Sequence, residues 1–279
     1  MKKQLLIASG ILIFIILGII IVKKINHQNS VKQVTTISDL PAPAGTVEQL
    51  IVPGSYDIKT ITNETDYATI NIKYPSFKLA SSKFNDTIAT TITNAIDNHT
   101  KIAEENWKAR VDTKIPGDTI TEKPTTKEDK LPLQIDVNVI QSNDSYISYV
   151  MTQSGFEGGA HGYSLTTSGA YDVKNRKPIT LADLFSNDSD YLNKISLSAR
   201  AELVKEYGTL SDEYRAESTK EAVKEYAQNI QDMISDGTAP DADNFGTFTF
   251  TPNTITIYFQ QYQVGPYSIG MPTVTIPRT

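Results

Sequence analysis

The sequence predicts an α+β fold, a mostly antiparallel sheet packed with helices, preceded by one N-terminal transmembrane helix. Three observations predict it. The first 24 of 279 residues hold a long uncharged apolar run. Period-two alternation recurs in short segments bounded by turn residues. These strand patterns are grouped, and so are the helical ones, which favours α+β over alternating βα units.

The apolar run, Leu5 to Val22, contains Leu, Ile, Phe, Val, Ala, Gly and one Ser, with lysines at 2, 3, 23 and 24 on its flanks. As a helix it is about 27 Å long, close to the roughly 30 Å hydrocarbon core of a bilayer. A cleaved export signal has a shorter apolar region and a small-x-small cleavage site, which Val22-Lys23-Lys24-Ile25 does not offer. Residues 1–24 are therefore expected to be a retained signal anchor. Met1 to Gln4 would stay inside, and the rest would lie outside a bacterial cell membrane as a single-pass protein. Residues 25–53, polar and carrying Pro41, Pro43, Gly45 and Pro53, are expected to form a tether.

The charge balance differs between the two parts. Five of the 26 basic residues fall in residues 1–32, which hold no Asp or Glu. The remaining 21 face 32 acidic residues, a net charge of −11 over residues 33–279. Nucleic acid, whose phosphates need a basic footprint, is excluded as a partner, and cationic partners are favoured. The chain has no cysteine, so disulfides, Cys–zinc sites and thiol chemistry are excluded together.

After the tether, Tyr67 to Tyr74 alternates and predicts a strand that Pro75 stops. Apolar residues Phe84, Ile88, Ile92, Ala95, Ile96, Ile102 and Ala103 recur at helical spacing, predicting an amphipathic helix over Ser81 to Lys108. His99 lies close to its apolar stripe and reads as a packing residue. Asp112 to Lys130 reads as a loop, closing a small αβ domain over residues 54–130.

A second domain is expected over residues 131–279. Strands are predicted at Leu133–Val139, Tyr146–Gln153 and Tyr163–Val173, with a turn at Lys174 to Pro178. Two helices follow, marked by Leu192 to Tyr207 and by Tyr214 to Met233, with Gly208 and Gly237 where C-terminal caps belong. The chain closes in strands at Phe245–Phe250, Ile255–Phe259 and Thr273–Ile276.

The segment Gly155-Phe156-Glu157-Gly158-Gly159-Ala160-His161-Gly162 interrupts this pattern. Its glycines permit positive φ and close backbone approach. Glu157 and His161 offer a base and an orienting partner, or two metal ligands, but fall short of the three protein ligands of catalytic zinc. The competing reading is a tight bulge in which His161 bonds to backbone. No HExxH, GxSxG, SxxK or Walker motif occurs and no cofactor is implied. Tyr258, Tyr262 and Tyr267 in the last segment combine apolar area with a hydroxyl, the equipment of a binding surface.

Gly158-Gly159-Ala160-His161-Gly162, Tyr171-Asp172, the run from Pro178 to Phe185 and the ending from Ile257 to Gly270 resemble the RsiV-like family. This is a C-terminal domain of unknown function shared by a lysozyme-responsive anti-sigma factor and some peptidoglycan deacetylases. Ile70 to Phe77 and the following helix resemble its usual N-terminal companion. The likeness covers about Tyr56 to Pro277. The resemblance implies an envelope-side receptor module alone: Met1 to Gln4 cannot supply a sigma-binding segment, and no stretch remains for a deacetylase catalytic domain.

The reading is a membrane-anchored extracytoplasmic binding module for a lysozyme-type protein or a peptidoglycan fragment, with Glu157, His161, Tyr262 and Tyr267 as its binding residues. The alternatives are a wall hydrolase pairing Glu157 with an Asp such as Asp172, and a structural envelope protein. A glycoside-cleaving pair must stand roughly 5–10 Å apart.

Overall fold

The computed structural model describes residues 49–185, 188–209, 215–216 and 218–278. The anchor helix and nearly all of the tether fall outside the described residues. No helix among the described residues is long and apolar enough to cross a membrane.

Among the described residues, nine strands and three long helices make an α+β architecture with two sheets. The first, six-stranded, is ordered β1 (Tyr56–Glu64), β2 (Ala68–Phe77), β3 (Leu131–Ser142), β4 (Tyr146–Gly155), β5 (Tyr163–Asp172) and β6 (Lys177–Pro178). All its pairings are antiparallel except β2 with β3, where Ala68–Ile72 runs parallel to Leu131–Ile135. A parallel pair needs a crossover, and α1 (Ser82–Asp112) with the loop after it supplies one. The boundary drawn at residue 130 thus falls inside a continuous sheet. The last residues assigned to the tether are tied down as well: Ser142 N–H donates to Leu50 C=O over 2.7 Å, and Val52 N–H to Ser142 C=O over 2.9 Å.

Pro75 does not stop β2. It lies within the strand opposite Ile58, beyond Ile72 where pairing with β3 ends, so one side of β2 is free there and a missing N–H costs little. α1 begins as its sequence dictates: the Ser81 hydroxyl accepts from the Phe84 N–H. Its buried face, Ile88, Ile92, His99, Ala103 and Trp107, covers one side of the sheet together with Ile70, Ile72, Leu133, Ile135 and Phe77.

Strand parity sends alternate residues to the other side. Ile147, Tyr149 and Met151 of β4 join the α1 core. The Ser148 and Ser168 hydroxyls, of opposite parity, accept the Phe250 and Phe248 N–H groups at 3.0 and 2.9 Å. Those two phenylalanines bound β7 (Phe248–Phe250), which with β8 (Thr254–Tyr258) and β9 (Thr273–Pro277) forms the second sheet. α2 (Tyr191–Tyr207) and α3 (Lys220–Gly237) complete a second core with Ile195, Leu203, Ile230, Ile234, Phe245 and Phe259. The order is α1, six-stranded sheet, then the small sheet with α2 and α3.

Gly208 caps α2. Gly237 serves a different purpose, as the last residue of α3, capped by Thr238. A Cβ there would stand 2.0 Å from the Gln263 carbonyl oxygen, so close approach is what demands glycine.

Candidate functional site

Gly155 pairs with Tyr163, and between them the loop from Phe156 to Gly162 joins β4 to β5. Two contacts and one backbone conformation fix it. Phe156 N–H donates to Pro132 C=O over 3.1 Å, the Asn106 side-chain amide of α1 donates to Glu157 C=O, and Gly158 takes φ +86°. Only Gly158 of the three loop glycines adopts positive φ, so the loop needs left-handed backbone at one point rather than throughout.

The structure separates the residues that the sequence set together. Glu157 turns inward, toward α1. Its Oε1 lies 3.8 Å from Nδ1 of His99, a ring only 1% exposed. His99 Nε2 lies 3.3 Å from Leu131 C=O and Nδ1 lies 3.2 Å from the Tyr163 hydroxyl. The Tyr163 oxygen also accepts from Gln153 Nε2 over 3.0 Å. A carbonyl accepts only, so His99 carries its proton on Nε2, and Nδ1 accepts from Tyr163. The neutral ring is then fully satisfied. Burial pushes the His99 pKa down, against the opposing pull of the Leu131 hydrogen bond and Glu157. Burial pushes the Tyr163 phenol up.

His161 sits outside this group, exposed, in a cluster with the two tyrosines. Its ring packs on Tyr267 with centroids 4.0 Å apart at 32°. The Tyr262 hydroxyl lies 3.0 Å from His161 Nε2, and His161 Nδ1 lies 2.9 Å from Gly162 C=O. That carbonyl also accepts from the Tyr267 hydroxyl over 3.1 Å. The bulge reading of the loop is correct in that His161 bonds to backbone, but the bond is solvent-exposed and the ring's larger contact is with the tyrosines.

Tyr262 occupies an unusual place. It is the third residue of a turn closed by Gln263 N–H donating to Gln260 C=O, and its φ is +66°. Turns with positive φ at this position take Gly or Asn, and a tyrosine there is strained. Its side chain is nonetheless 51% exposed. The glutamines around it hold the turn. Gln261 Oε1 accepts from Ser164 N–H, and Gln260 exchanges two bonds with the Thr166 backbone at 2.9 and 2.8 Å. Gln263 Nε2 donates to Gly237 and Asn244 carbonyls. The glutamines of this motif are thus structural, and the aromatic rings are what it presents.

The hydrolase pairing of Glu157 with Asp172 fails on geometry. Asp172 stands at the far end of β5 from Tyr163, about 30 Å away at roughly 3.3 Å per residue. It caps the β5–β6 turn by accepting from Asn175 N–H over 2.8 Å, the main reason its pKa is lowered. Among the described residues no three His, Cys, Asp or Glu side chains group as a metal site.

Sequence reasoning missed His99, Asn106 and Tyr163 as partners of Glu157, and Gln153 behind Tyr163. The available signal was the pair of polar residues two helical turns apart, His99 and Asn106, beside a stripe that holds Ile92, Ala103 and Trp107.

Two family models match separate stretches of the chain. Residues 61–164 match the family described as deacetylase PdaC, and residues 182–279 match a family described as protein of unknown function, DUF3298. The chain is 23% identical over 226 residues to the peptidoglycan-N-acetylmuramic acid deacetylase PdaC of Bacillus subtilis (strain 168). The match covers 81% of this chain and 41% of that protein, so the chain spans well under half of its relative. A crystal structure of a DUF3298 member from Bacteroides fragilis shares the fold: TM-score 0.51 at 18% identity, covering 80% of this chain and 89% of that one. A DUF3298 protein from Pseudomonas aeruginosa aligns more loosely, with a TM-score of 0.46 at 16% identity over 82% and 93% of the two chains.

Proposed function

We propose that residues 49–279 form a recognition module for a peptidoglycan-related ligand, carried outside a bacterial membrane by the apolar segment 5–22. The observation that carries this reading is Tyr262. A half-exposed ring on left-handed backbone, braced by His161 and Tyr267, is held out at a conformational cost of about 1–3 kcal/mol. Such strain is tolerated where the side chain is needed, and nothing in the core needs this one. Three clustered, mutually tilted rings carrying two hydroxyls and an imidazole suit an amphipathic ligand such as an amino-sugar chain.

The relation to a peptidoglycan deacetylase supports the ligand class. The deacetylase's own chemistry is not transferred, because the match covers 41% of that protein. Glu157 acts in this reading by holding the glycine loop and not by touching the ligand.

A lysozyme-type protein is the second reading, favoured by the net charge of −11 on residues 33–279. The deciding experiment titrates the full chain with a disaccharide-peptide fragment of peptidoglycan and, separately, with a basic lysozyme. Tyr262→Ala is expected to weaken binding at least tenfold with unchanged circular dichroism. Binding of neither ligand by the wild-type chain would refute the proposal.

A further inference from the structure

We propose a second binding site, at the open edge of β5, that takes a short extended peptide bearing a carboxylate by adding it to the six-stranded sheet. The site is a cleft of about 680 Å3, within the size range of ligand pockets, between the first turns of α1 and the segments around β6 and β7. Its floor is the edge strand itself, Ser168 to Tyr171.

The backbone geometry defines what the floor lacks. Thr166 points its N–H and C=O away from β4, and both are taken by the side-chain amide of Gln260. Residues of the same parity, Ser168 and Ala170, point the same way. Ala170 C=O accepts from Ile179 N–H over 2.9 Å. The Ser168 N–H, the Ser168 C=O and the Ala170 N–H have no outer partner among the described residues. A donor and an acceptor on one residue are met together by an amide, and Gln260 shows an amide group docked in that way one step along the same edge. The opening runs from Thr167 to Ala170, between the Gln260 clamp and β6, about 13 Å at roughly 3.3 Å per residue. That length fits three to five residues of extended chain, by the mode of recognition in which a peptide completes a sheet edge.

The walls set the side chains and the charge. Phe84, Tyr149 and Tyr171 stand on one face of the edge, and Phe248 and Tyr191 on the other. Lys83, Arg176 and Lys177 also line the cleft. Lys177 pairs with Asp183 at 3.4 Å, whereas Lys83 and Arg176 have no carboxylate partner among the described residues. Lys83 lies in the first turn of α1, against the helix dipole, and that turn contains no acidic residue. Arg176 holds φ +55°, a left-handed conformation that a non-glycine residue rarely takes. In a strongly acidic domain, cations kept in unfavourable local settings around an open sheet edge point to an anionic group on the incoming chain.

The test presents the full chain with acetyl-Val-Glu-Val-Glu and with the same peptide N-methylated at alternate amides, which keeps the charge and removes edge pairing. The unmodified peptide is expected to bind at least tenfold more tightly and to slow amide hydrogen exchange within Thr167–Tyr171. Arg176→Gly, which suits the left-handed backbone and leaves the fold intact, is expected to weaken binding threefold or more. Tyr262→Ala is expected to leave peptide binding unchanged, which separates this site from the His161 cluster. Equal binding of the N-methylated peptide, protection outside β5, or no binding of either peptide would overturn the proposal.

Discussion

The Tyr262 hydroxyl meets His161 Nε2 at 3.0 Å across 101 residues of sequence, joining the turn after β8 to the glycine loop between β4 and β5. The contact makes one surface from two motifs, and it is built on a tyrosine whose backbone favours glycine. That conflict gives a test that needs no ligand.

Tyr262→Gly and Tyr262→Ala remove the same ring and the same hydroxyl contact. In ordinary helix or strand, glycine is the less stable of the two by roughly 0.5–1 kcal/mol. At φ +66° the order reverses, because only alanine keeps a Cβ that clashes in left-handed backbone, at about 1–2 kcal/mol. Urea unfolding is expected to place Tyr262→Gly about 1 kcal/mol above Tyr262→Ala. The usual order would remove the argument that strain is stored here.

His99 and His161 should part company in stability. His99→Ala leaves the Leu131 carbonyl and the Tyr163 hydroxyl without their partner in a buried place, at a cost of about 1–3 kcal/mol or more with the cavity. His161→Ala removes an exposed ring whose carbonyl partner keeps the Tyr267 bond, so its cost stays below about 1 kcal/mol. Denaturation curves for both variants check this directly, and equal losses would contradict the burial difference.

The depressed pKa of His99 sets a pH dependence with a definite sign. Burial favours the neutral ring in the native state, while the unfolded chain protonates near 6.5. Between that value and the lower native pKa the unfolded state binds more protons, so stability rises with pH. The contribution is present above about pH 6.5 and is lost as the pH falls through that window. Carboxylates with lowered pKa values, such as Asp129, Asp172 and Asp183, act in the same direction, but only as the pH falls below their ordinary value of 3.8. Unfolding free energy measured from pH 7.5 to 5 should therefore decline in the wild type and flatten in His99→Gln.

Much of the fold was legible because its elements advertise a period. α1 and β2 to β5 carry three- and four-residue or alternating patterns that survive without tertiary information. β1 was not legible for a physical reason: as an edge strand only Tyr56 and Ile61 are even half-buried, so there is no alternation to read. Pro75 misled because its effect depends on which side of β2 is paired, a property of the neighbour. In the site, the sequence placed His161, Tyr262 and Tyr267 among the binding candidates, and the structure brings those three together. It could not show that Glu157 faces His99, 58 residues away, since nothing local distinguishes an inward from an outward carboxylate in a glycine loop.

Gly237 links the helical layer to the Tyr262 turn. Its carbonyl accepts from Gln263 Nε2 over 3.1 Å, and a Cβ would stand 2.0 Å from the Gln263 carbonyl oxygen. Gly237→Ala must push the turn away or strain α3, at about 1–3 kcal/mol. Ligand binding at Tyr262 is expected to weaken although residue 237 is buried. Calorimetric titration of this variant beside wild type measures both effects, and unchanged affinity would show that the turn is not positioned from below.

The two ligand readings diverge in their response to salt. An acidic domain attracts a basic protein at long range, and the association rate falls as ionic strength rises and the Debye length drops below about 10 Å. A peptidoglycan fragment, small and carrying little positive charge, gains nothing from that field, so its binding to the aromatic cluster should change little with salt. Charge alone would also draw in unrelated basic proteins. Lysozyme binding must therefore be compared with a control of similar charge such as cytochrome c, and must be sensitive to Tyr262→Ala and Tyr267→Ala with the fold intact. A salt-dependent, tyrosine-dependent association confined to lysozyme would establish the protein ligand. Salt-insensitive, tyrosine-dependent binding of the disaccharide-peptide would establish the wall fragment. Equal binding of lysozyme and cytochrome c, unaffected by either tyrosine, would leave the His161 cluster without a recognition role.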